Sequence, residues 1–158
     1  MKFDKQKIIL RAARLTDCQL LFNWTNDPYV RSNSVNTRPI KWEEHEKWFN
    51  TKMSLSETTR IFIAEIQNAR PVGQIRFDKE GGKAVISYSV DASFRGQNIG
   101  TFLVAKGIEM ICPIWNDITE IVGVIKLENI ASQKIFEKND FALIKKDPLL
   151  EYHKLIKG

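Results

Sequence analysis

An alternating strand, a glycine-containing turn and an apolar helix follow one another around Tyr88-Ser89-Val90-Asp91-Ala92-Ser93-Phe94-Arg95-Gly96-Gln97-Asn98-Ile99-Gly100-Thr101, and this junction constrains the fold more than any other stretch. The strand ends near Val90 and the helix begins near Ile99, with Ile99, Phe102, Leu103, Ile108 and Ile111 on its apolar side. Unpaired N–H groups at a helix start converge on an anion, and the helix dipole adds about 0.3–1 kcal/mol at exposed ends. Gly96 and Gly100 let a phosphate approach the backbone with no Cβ in the way. Asn98 is the non-glycine residue best suited to a left-handed backbone, and Arg95 can add a charge-assisted contact. A turn that only connects two elements is the alternative reading. No Gly-Lys-Ser/Thr follows, so the segment is not a kinase or GTPase loop. The hairpins before it and the lack of a βαβ unit set it apart from a dinucleotide fingerprint.

Three strand-like runs precede the turn, at Arg60 to Ile66, Val72 to Phe77 and Ala84 to Val90. Asn68-Ala69-Arg70-Pro71 and Asp78-Lys79-Glu80-Gly81-Gly82 separate them with hairpin-turn chemistry. Earlier, Ile8 to Ala12 reads as a strand. Thr16-Asp17-Cys18-Gln19 has capping-box spacing ahead of a helix through Leu20, Leu21, Phe22 and Trp24. Asn26-Asp27-Pro28 stops that helix. A loop with Asn33, Ser34, Asn36 and Pro39 leads to a second helix from about Trp42 to Met53, on which Trp42, His45, Trp48 and Phe49 share one face. After the glycine turn and its helix come a strand at Ile118 to Ile125, a short helix at Ser132 to Lys138, and closing strands at Phe141 to Lys145 and Tyr152 to Ile156. This order predicts an α+β (mixed α/β) chain, one domain over residues 1–158, with a mostly antiparallel central sheet and helices on both faces.

With 158 residues, 43% hydrophobic and 27% charged, the chain can bury a core without disulfides or metals. Cys18 and Cys112 are isolated, with no histidine cluster nearby, so reduced thiols and no metal are expected. The start Met1-Lys2-Phe3-Asp4-Lys5 lacks a secretory apolar core, and no apolar run is long enough to span a bilayer. A cytoplasmic location and no membrane partner are the expectation. The formal charge is +5, from 24 Lys and Arg against 19 Asp and Glu. The basic residues are scattered without interleaved aromatics, which argues against a nucleic-acid partner.

Val90 through Gly100 resembles the acyl-CoA motif of the GNAT superfamily, Arg/Gln-x-x-Gly-x-Gly/Ala after a strand. Arg95, Gly96 and Gly100 match, and Asn98 departs from the commoner glycine. Glu128-Asn129-Ile130-Ala131-Ser132-Gln133-Lys134-Ile135-Phe136-Glu137-Lys138-Asn139-Asp140-Phe141 resembles that family's second cofactor segment. There an Asn and a Ser face the cofactor ahead of a Tyr-Glu-Lys-x-Gly-Phe ending. The resemblance implies an acyl-CoA N-acyltransferase fold with a splayed sheet and acetyl-CoA as acetyl donor. It sets Ser87, Tyr88, Ser89 and Val90 along the pantetheine arm, pairing with it like an added strand. Arg95, Gly96, Gln97, Asn98, Ile99, Gly100 and Thr101 fall at the pyrophosphate, and Asn129, Ser132 and Phe136 on the donor's other side. The implied chemistry is direct attack of a neutral amine on the thioester in a ternary complex. A backbone N–H near Val90 steadies the oxyanion, and proximity supplies much of the rate. The family often protonates the departing thiolate with a Tyr where this chain has Phe136, which leaves that proton to Ser132, Tyr88 or water. Asp140 replaces the glycine of the ending and adjusts a helix-terminal turn.

In the same fold the first two helices and the loop between them cover the acceptor. Asn23 to Ser34 followed by Ile40 to Phe49 resembles GNAT enzymes of nucleotide-sugar pathways, as does Gly73-Gln74-Ile75-Arg76-Phe77-Asp78. The nearest resemblance is to UDP-amino-sugar N-acetyltransferases making pseudaminic or legionaminic-type acids. The implied acceptor is a small-molecule amine, a UDP-amino sugar, in a monomer or homodimer. Asn26, Arg31, His45 and Trp48 are the candidate substrate residues. Each has a second reading. Trp24 and Trp48 suit the core, Arg31 can pair with Glu43 or Glu44, and Asn26 with Asp27 can simply end a helix. His45 is either a packed histidine or a general base, with Glu65 and Glu128 as alternative bases; His153 falls in the last strand. The competing functions are a protein or peptide N-terminal acetyltransferase of the ribosomal-protein type, and a non-catalytic acyl-CoA-binding module.

Overall fold

Alternation along one central strand explains the layering. In the computed structural model, which describes residues 7–156, strand β2 (Thr59–Ile66) sends Phe62 and Ala64 into one apolar cluster and Ile61 and Ile63 into another. Successive strand residues face opposite sides, so a strand apolar on both needs helices on both. The segment Met1 to Lys5, read above for a leader, lies outside the described residues.

Strand β1 (Ile9–Ala12) pairs antiparallel with β2. Strands β3 (Arg70–Glu80) and β4 (Lys83–Val90) continue the meander through two tight turns, one using Asn68 at φ 62° and the other Gly81 at φ 62°. Strand β5 (Glu120–Ile125) lies parallel to β4, and β7 (Leu150–Leu155) and β6 (Ala142–Lys145) complete the order β1-β2-β3-β4-β5-β7-β6. The parallel contact is short. Lys83 to Ile86 lie opposite Glu120 to Gly123, and beyond that point the two strands part. The expected splayed, mostly antiparallel sheet is therefore present.

Helices α1 (Cys18–Thr25) and α3 (Trp42–Ser54) cover one face, burying Leu21, Trp24 and Phe49 against Ile61 and Ile63. Glu43 and Glu44 in the first turn of α3 and Lys52 in its last complement the helix dipole. Helices α4 (Ile99–Ile114) and α5 (Ile130–Lys138) cover the other face, where Leu103, Val104, Ile111 and Phe136 meet Val72, Ile75, Phe77 and Tyr152.

Two local expectations are corrected. Thr16 does not cap α1. The Asp17 carboxylate accepts the Arg14 N–H at 2.6 Å and the Arg11 guanidinium at 2.8 and 2.9 Å, while Arg11 also donates to Glu65 at 2.7 Å. An ion-paired triad thus fixes the entry to the helix. The second correction concerns Asn26-Asp27-Pro28, which ends α1 and also begins α2 (Pro28–Asn33), read from sequence as loop. Asp27 Oδ1 accepts the Tyr29 and Val30 N–H groups at 3.0 and 3.2 Å, and Pro28 holds the first helical position.

Candidate active site

The parting of β4 from β5 opens a cavity of about 930 Å³. The glycine turn and α5 line it on one side, and α1, α2, the following loop and α3 on the other. Across it, Lys126 Nζ donates to the Ser32 carbonyl at 3.0 Å, tying the β5–α5 turn to α2.

On the turn side, Asp91 anchors the chain as it leaves β4. Its carboxylate accepts the Ser93 N–H at 2.9 Å and the indole N–H of buried Trp24 at 2.8 Å, so Trp24 is a core residue that also orients the turn. Gly96 follows at φ 80°, and Asn98 takes φ 62°, ψ 19°, the left-handed backbone expected of it. The first intrahelical bond of α4 runs from the Phe102 N–H to the Asn98 carbonyl at 3.3 Å, ahead of which Ile99, Gly100 and Thr101 make up the first turn, where N–H groups have no helical acceptor. Gly96, Asn98, Ile99, Gly100 and Thr101 all line the cavity; Gln97, grouped with them from sequence, does not. Arg95 lines it too, yet its guanidinium donates to Asp27 Oδ1 at 2.8 Å and lies 4.5 Å above the Tyr29 ring.

Ser87, Tyr88, Ser89 and Val90 line the cavity where β4 has lost its parallel neighbour. Opposite them, Asn129 caps α5 by accepting the Ser132 N–H at 3.1 Å. The Ser132 hydroxyl lies 2.6 Å from the Tyr88 phenol oxygen. Burial pushes the Tyr88 phenol up to about 12, with the Ser132 contact only partly opposing it, so Tyr88 stays protonated at neutral pH. Phe136 is 1% exposed; its ring stacks on Tyr152, tilts against Phe141 and meets Tyr88 in a T-shape. It lies so close to Gly123 that a Cβ there would collide with it. The ring plugs the point where the strands separate. Lys134 and Lys138, four apart on α5, also line the cavity and have no ion-pair partner among the described residues. Sequence reasoning passed over both, although their spacing puts them on one helical face.

On the other side the candidate acceptor residues are mostly occupied. Arg31 does not reach Glu43 or Glu44. It donates to the Thr25 carbonyl at 2.6 Å, the Asn36 and Arg38 carbonyls at 3.0 and 3.3 Å, and the Ser34 hydroxyl at 3.0 Å, so it staples α1, α2 and the loop. Asn26 clamps the loop end with two bonds to Ile40, at 2.8 and 2.7 Å. His45 is 3% exposed among Phe22, Trp42, Trp48 and Phe49, and its Nε2 bonds to the Cys18 carbonyl at 2.9 Å. Burial pushes its pKa below the ordinary histidine value, with the carbonyl contact opposing less. Trp48 is half-buried under the Arg76 guanidinium, 5.0 Å from its ring. Arg76, Gln74 and Glu44 line this half of the cavity and were not singled out as site residues from sequence, whereas Glu65 and Glu128 do not line it. Among the described residues no group of three or more His, Cys, Asp or Glu is placed to hold a metal ion, and no helix is long and apolar enough to cross a membrane.

A splayed sheet with a glycine turn at its opening defines a class, and comparison with known proteins agrees. The Acetyltransferase (GNAT) domain family matches residues 7–142, and the chain belongs to that family. An uncharacterized protein of Methanocaldococcus jannaschii is 26% identical over 146 residues, covering 90% of this chain; the chain spans 30% of that relative's length. Among solved structures, a domain from the same organism superposes with a TM-score of 0.83 at 24% identity, covering 95% of this chain and 99% of its own. Spermidine N-acetyltransferase from Vibrio cholerae, in complex with CoA and spermine, gives a TM-score of 0.84 at 16% identity, covering 95% and 96%.

Proposed function

We propose that this chain transfers the acetyl group of acetyl-CoA to the primary amine of a small anionic acceptor, a nucleotide-linked amino sugar such as a UDP-amino sugar, in the cytoplasm. The observation that carries the acceptor reading is the charge of the cavity wall. Among the described residues that line it, Arg31, Lys126, Lys134 and Lys138 carry charge with no carboxylate partner and face a single carboxylate, Glu44, while Arg76 and Arg95 are paired with Asp78 and Asp27. A polyamine or aminoglycoside brings several ammonium groups and needs acidic partners. A diphosphate-linked sugar suits this wall instead.

Donor binding is assigned to backbone. The first-turn N–H groups of α4, with Gly96 and Asn98, take the pyrophosphate, and the unpaired side of Ser87 to Val90 takes the pantetheine arm. Lys134 and Lys138 add cationic charge beside them. In the reaction the amine nitrogen bonds to the thioester carbon, the C–S bond breaks, the nitrogen loses one proton and the sulfur gains one. Phe136 supplies no proton. We assign that role to Tyr88, which lines the cavity with its hydroxyl hydrogen-bonded to Ser132. His45 is enclosed by four rings with Nε2 committed to a carbonyl, so we assign it packing; Glu44 receives the amine proton, through water.

The test follows free thiol with acetyl-CoA and UDP-4-amino-4,6-dideoxy sugars, spermidine and N-terminal peptides as acceptors. Turnover confined to the sugars is expected. Turnover on peptides or spermidine with none on the sugars overturns the acceptor reading, and CoA binding with no thiol release on any acceptor favours a non-catalytic module.

A further inference from the structure

The acceptor half of the cavity rests on a polar ladder. Across β3 and β4, Gln74 lies opposite Ser89 and Arg76 opposite Ser87, and all four line the cavity. Alternation turns Ile75, Phe77 and Ala84 to the core on the other face. Gln74 Nε2 donates to the Ser89 hydroxyl at 3.1 Å. Helix α3 packs over the ladder with Glu44, Trp48 and Lys52 in one stripe. The Trp48 ring lies 5.0 Å from the Arg76 guanidinium, and Lys52 Nζ donates to Asp78 Oδ1 at 2.9 Å.

Arg76 is thereby held without being used up. Its Nε donates to Asp78 Oδ2 at 2.8 Å and the indole backs its flat face, while Nη1 and Nη2 donate to no described residue. Asp78 is fixed in turn by Lys52 and by the Thr59 hydroxyl at 2.8 Å. Lys52 and Arg76 share that one carboxylate, so the cluster keeps a positive charge in excess. Arg31, the other guanidinium near α3, has spent its donors on the Thr25, Asn36 and Arg38 carbonyls and the Ser34 hydroxyl. A guanidinium end preset in direction matches two oxygens of one anion. Ser87, on the same face directly across the register, offers a hydroxyl to a third oxygen, which a phosphate has and a carboxylate lacks.

We propose that the open end of Arg76, with the Ser87 hydroxyl beside it, is the seat of a phosphate carried by the acceptor. This seat presupposes the anionic acceptor assigned above and narrows its recognition from a charged wall to one side chain. Tyr88, the assigned proton donor, follows Ser87 along β4, so a phosphate gripped there holds its molecule at the reacting end of the cavity.

The experiment measures, by calorimetry on the full chain saturated with CoA, the affinities of UDP and of uridine for the wild type, Arg76→Met and Arg76→Lys. The wild type is expected to bind UDP roughly tenfold or more tightly than uridine, the usual worth of charge-assisted hydrogen bonds. Arg76→Met removes that preference and leaves the affinities for CoA and uridine within about twofold of wild type. Arg76→Lys keeps the charge, loses the fork and retains part of the preference. With a UDP-4-amino-4,6-dideoxy sugar as acceptor, Arg76→Met raises KM by a similar factor and changes kcat little. UDP bound equally by the wild type and Arg76→Met overturns the seat. So does a loss in Arg76→Met that falls on carboxylate-bearing amines such as amino acids and spares UDP. In either case turnover of the sugar by the wild type leaves the acceptor reading standing. A wild type that acetylates spermidine or peptides and not the sugar overturns that reading, and the seat with it.

Discussion

The Tyr88 phenol oxygen and the Ser132 hydroxyl oxygen stand 2.6 Å apart, bridging a strand of the meander to the helix beyond the gap. Neither residue sits where the family's tyrosine would. The pair nonetheless puts a phenol on the cavity wall, its ring meeting that of Phe136 in a T-shape with centroids 6.2 Å apart.

Removing that phenol tests its role. Tyr88→Phe is expected to lower kcat by roughly 100-fold or more, the usual worth of a positioned acid, with the KM for acetyl-CoA changed little. Ser132→Ala, which leaves the phenol and loses only its partner, costs less. Because the phenol titrates near 12, neither variant shifts a limb of the pH–rate profile below about pH 10. Steady-state kinetics across pH checks all three statements.

Phe136 and Gly123 make a size-matched pair. Phe136→Ala leaves a hole in the core and is expected to cost about 3–5 kcal/mol in urea unfolding. Gly123→Ala drives a methyl into the ring and costs about 1–3 kcal/mol. Joining Gly123→Ala to Phe136→Leu recovers part of that loss, so the two effects do not add.

Asn98 holds a left-handed backbone in the glycine turn. Asn98→Gly relieves that strain and leaves CoA affinity near wild type. Asn98→Ala costs about 1–2 kcal/mol of stability and weakens CoA binding, because alanine resists the positive φ. Calorimetric titration with CoA and a thermal melt separate the two variants.

His153 gives the fold a pH dependence of its own. Its ring contacts Glu120 through Nδ1 and Glu151 through Nε2, the latter at 2.9 Å. Burial lowers its pKa, but the two carboxylates outweigh burial and raise it above the ordinary 6.5. A raised folded-state pKa means that the stabilisation is fully present below pH 6.5 and is lost as pH rises through the higher folded value. Unfolding midpoints should therefore fall between neutral and mildly alkaline pH in the wild type. His153→Gln flattens that decline, and an unchanged slope removes the assignment.

The turn at Gly96 to Gly100 was legible because its chemistry is local: a left-handed Asn and two glycines before an apolar helix need no tertiary information. The meander was legible for the same reason, from period-two runs between turn residues. What escaped were residues whose role is set by partners far along the chain. Arg31 looked available to a substrate until the loop folded back and used its donors on three carbonyls. His45 was ambiguous because a shared face with Trp48 and Phe49 says nothing of the Cys18 carbonyl that meets its ring. Asp27 read as a helix stop, and its two further duties depend on Tyr29 two residues on and Arg95 across the cavity.

An open sheet ordinarily has two edges; this one has a third, inside the molecule. Past Ile86 and Gly123 the facing sides of β4 and β5 have no strand between them, while their other sides stay paired to β3 and β7. Exposed on an outer rim, such an unpaired row would recruit another chain and seed aggregation. Lined by α2 and crossed by the Lys126–Ser32 tether, it opens instead onto the interior cavity, away from the rim of the sheet.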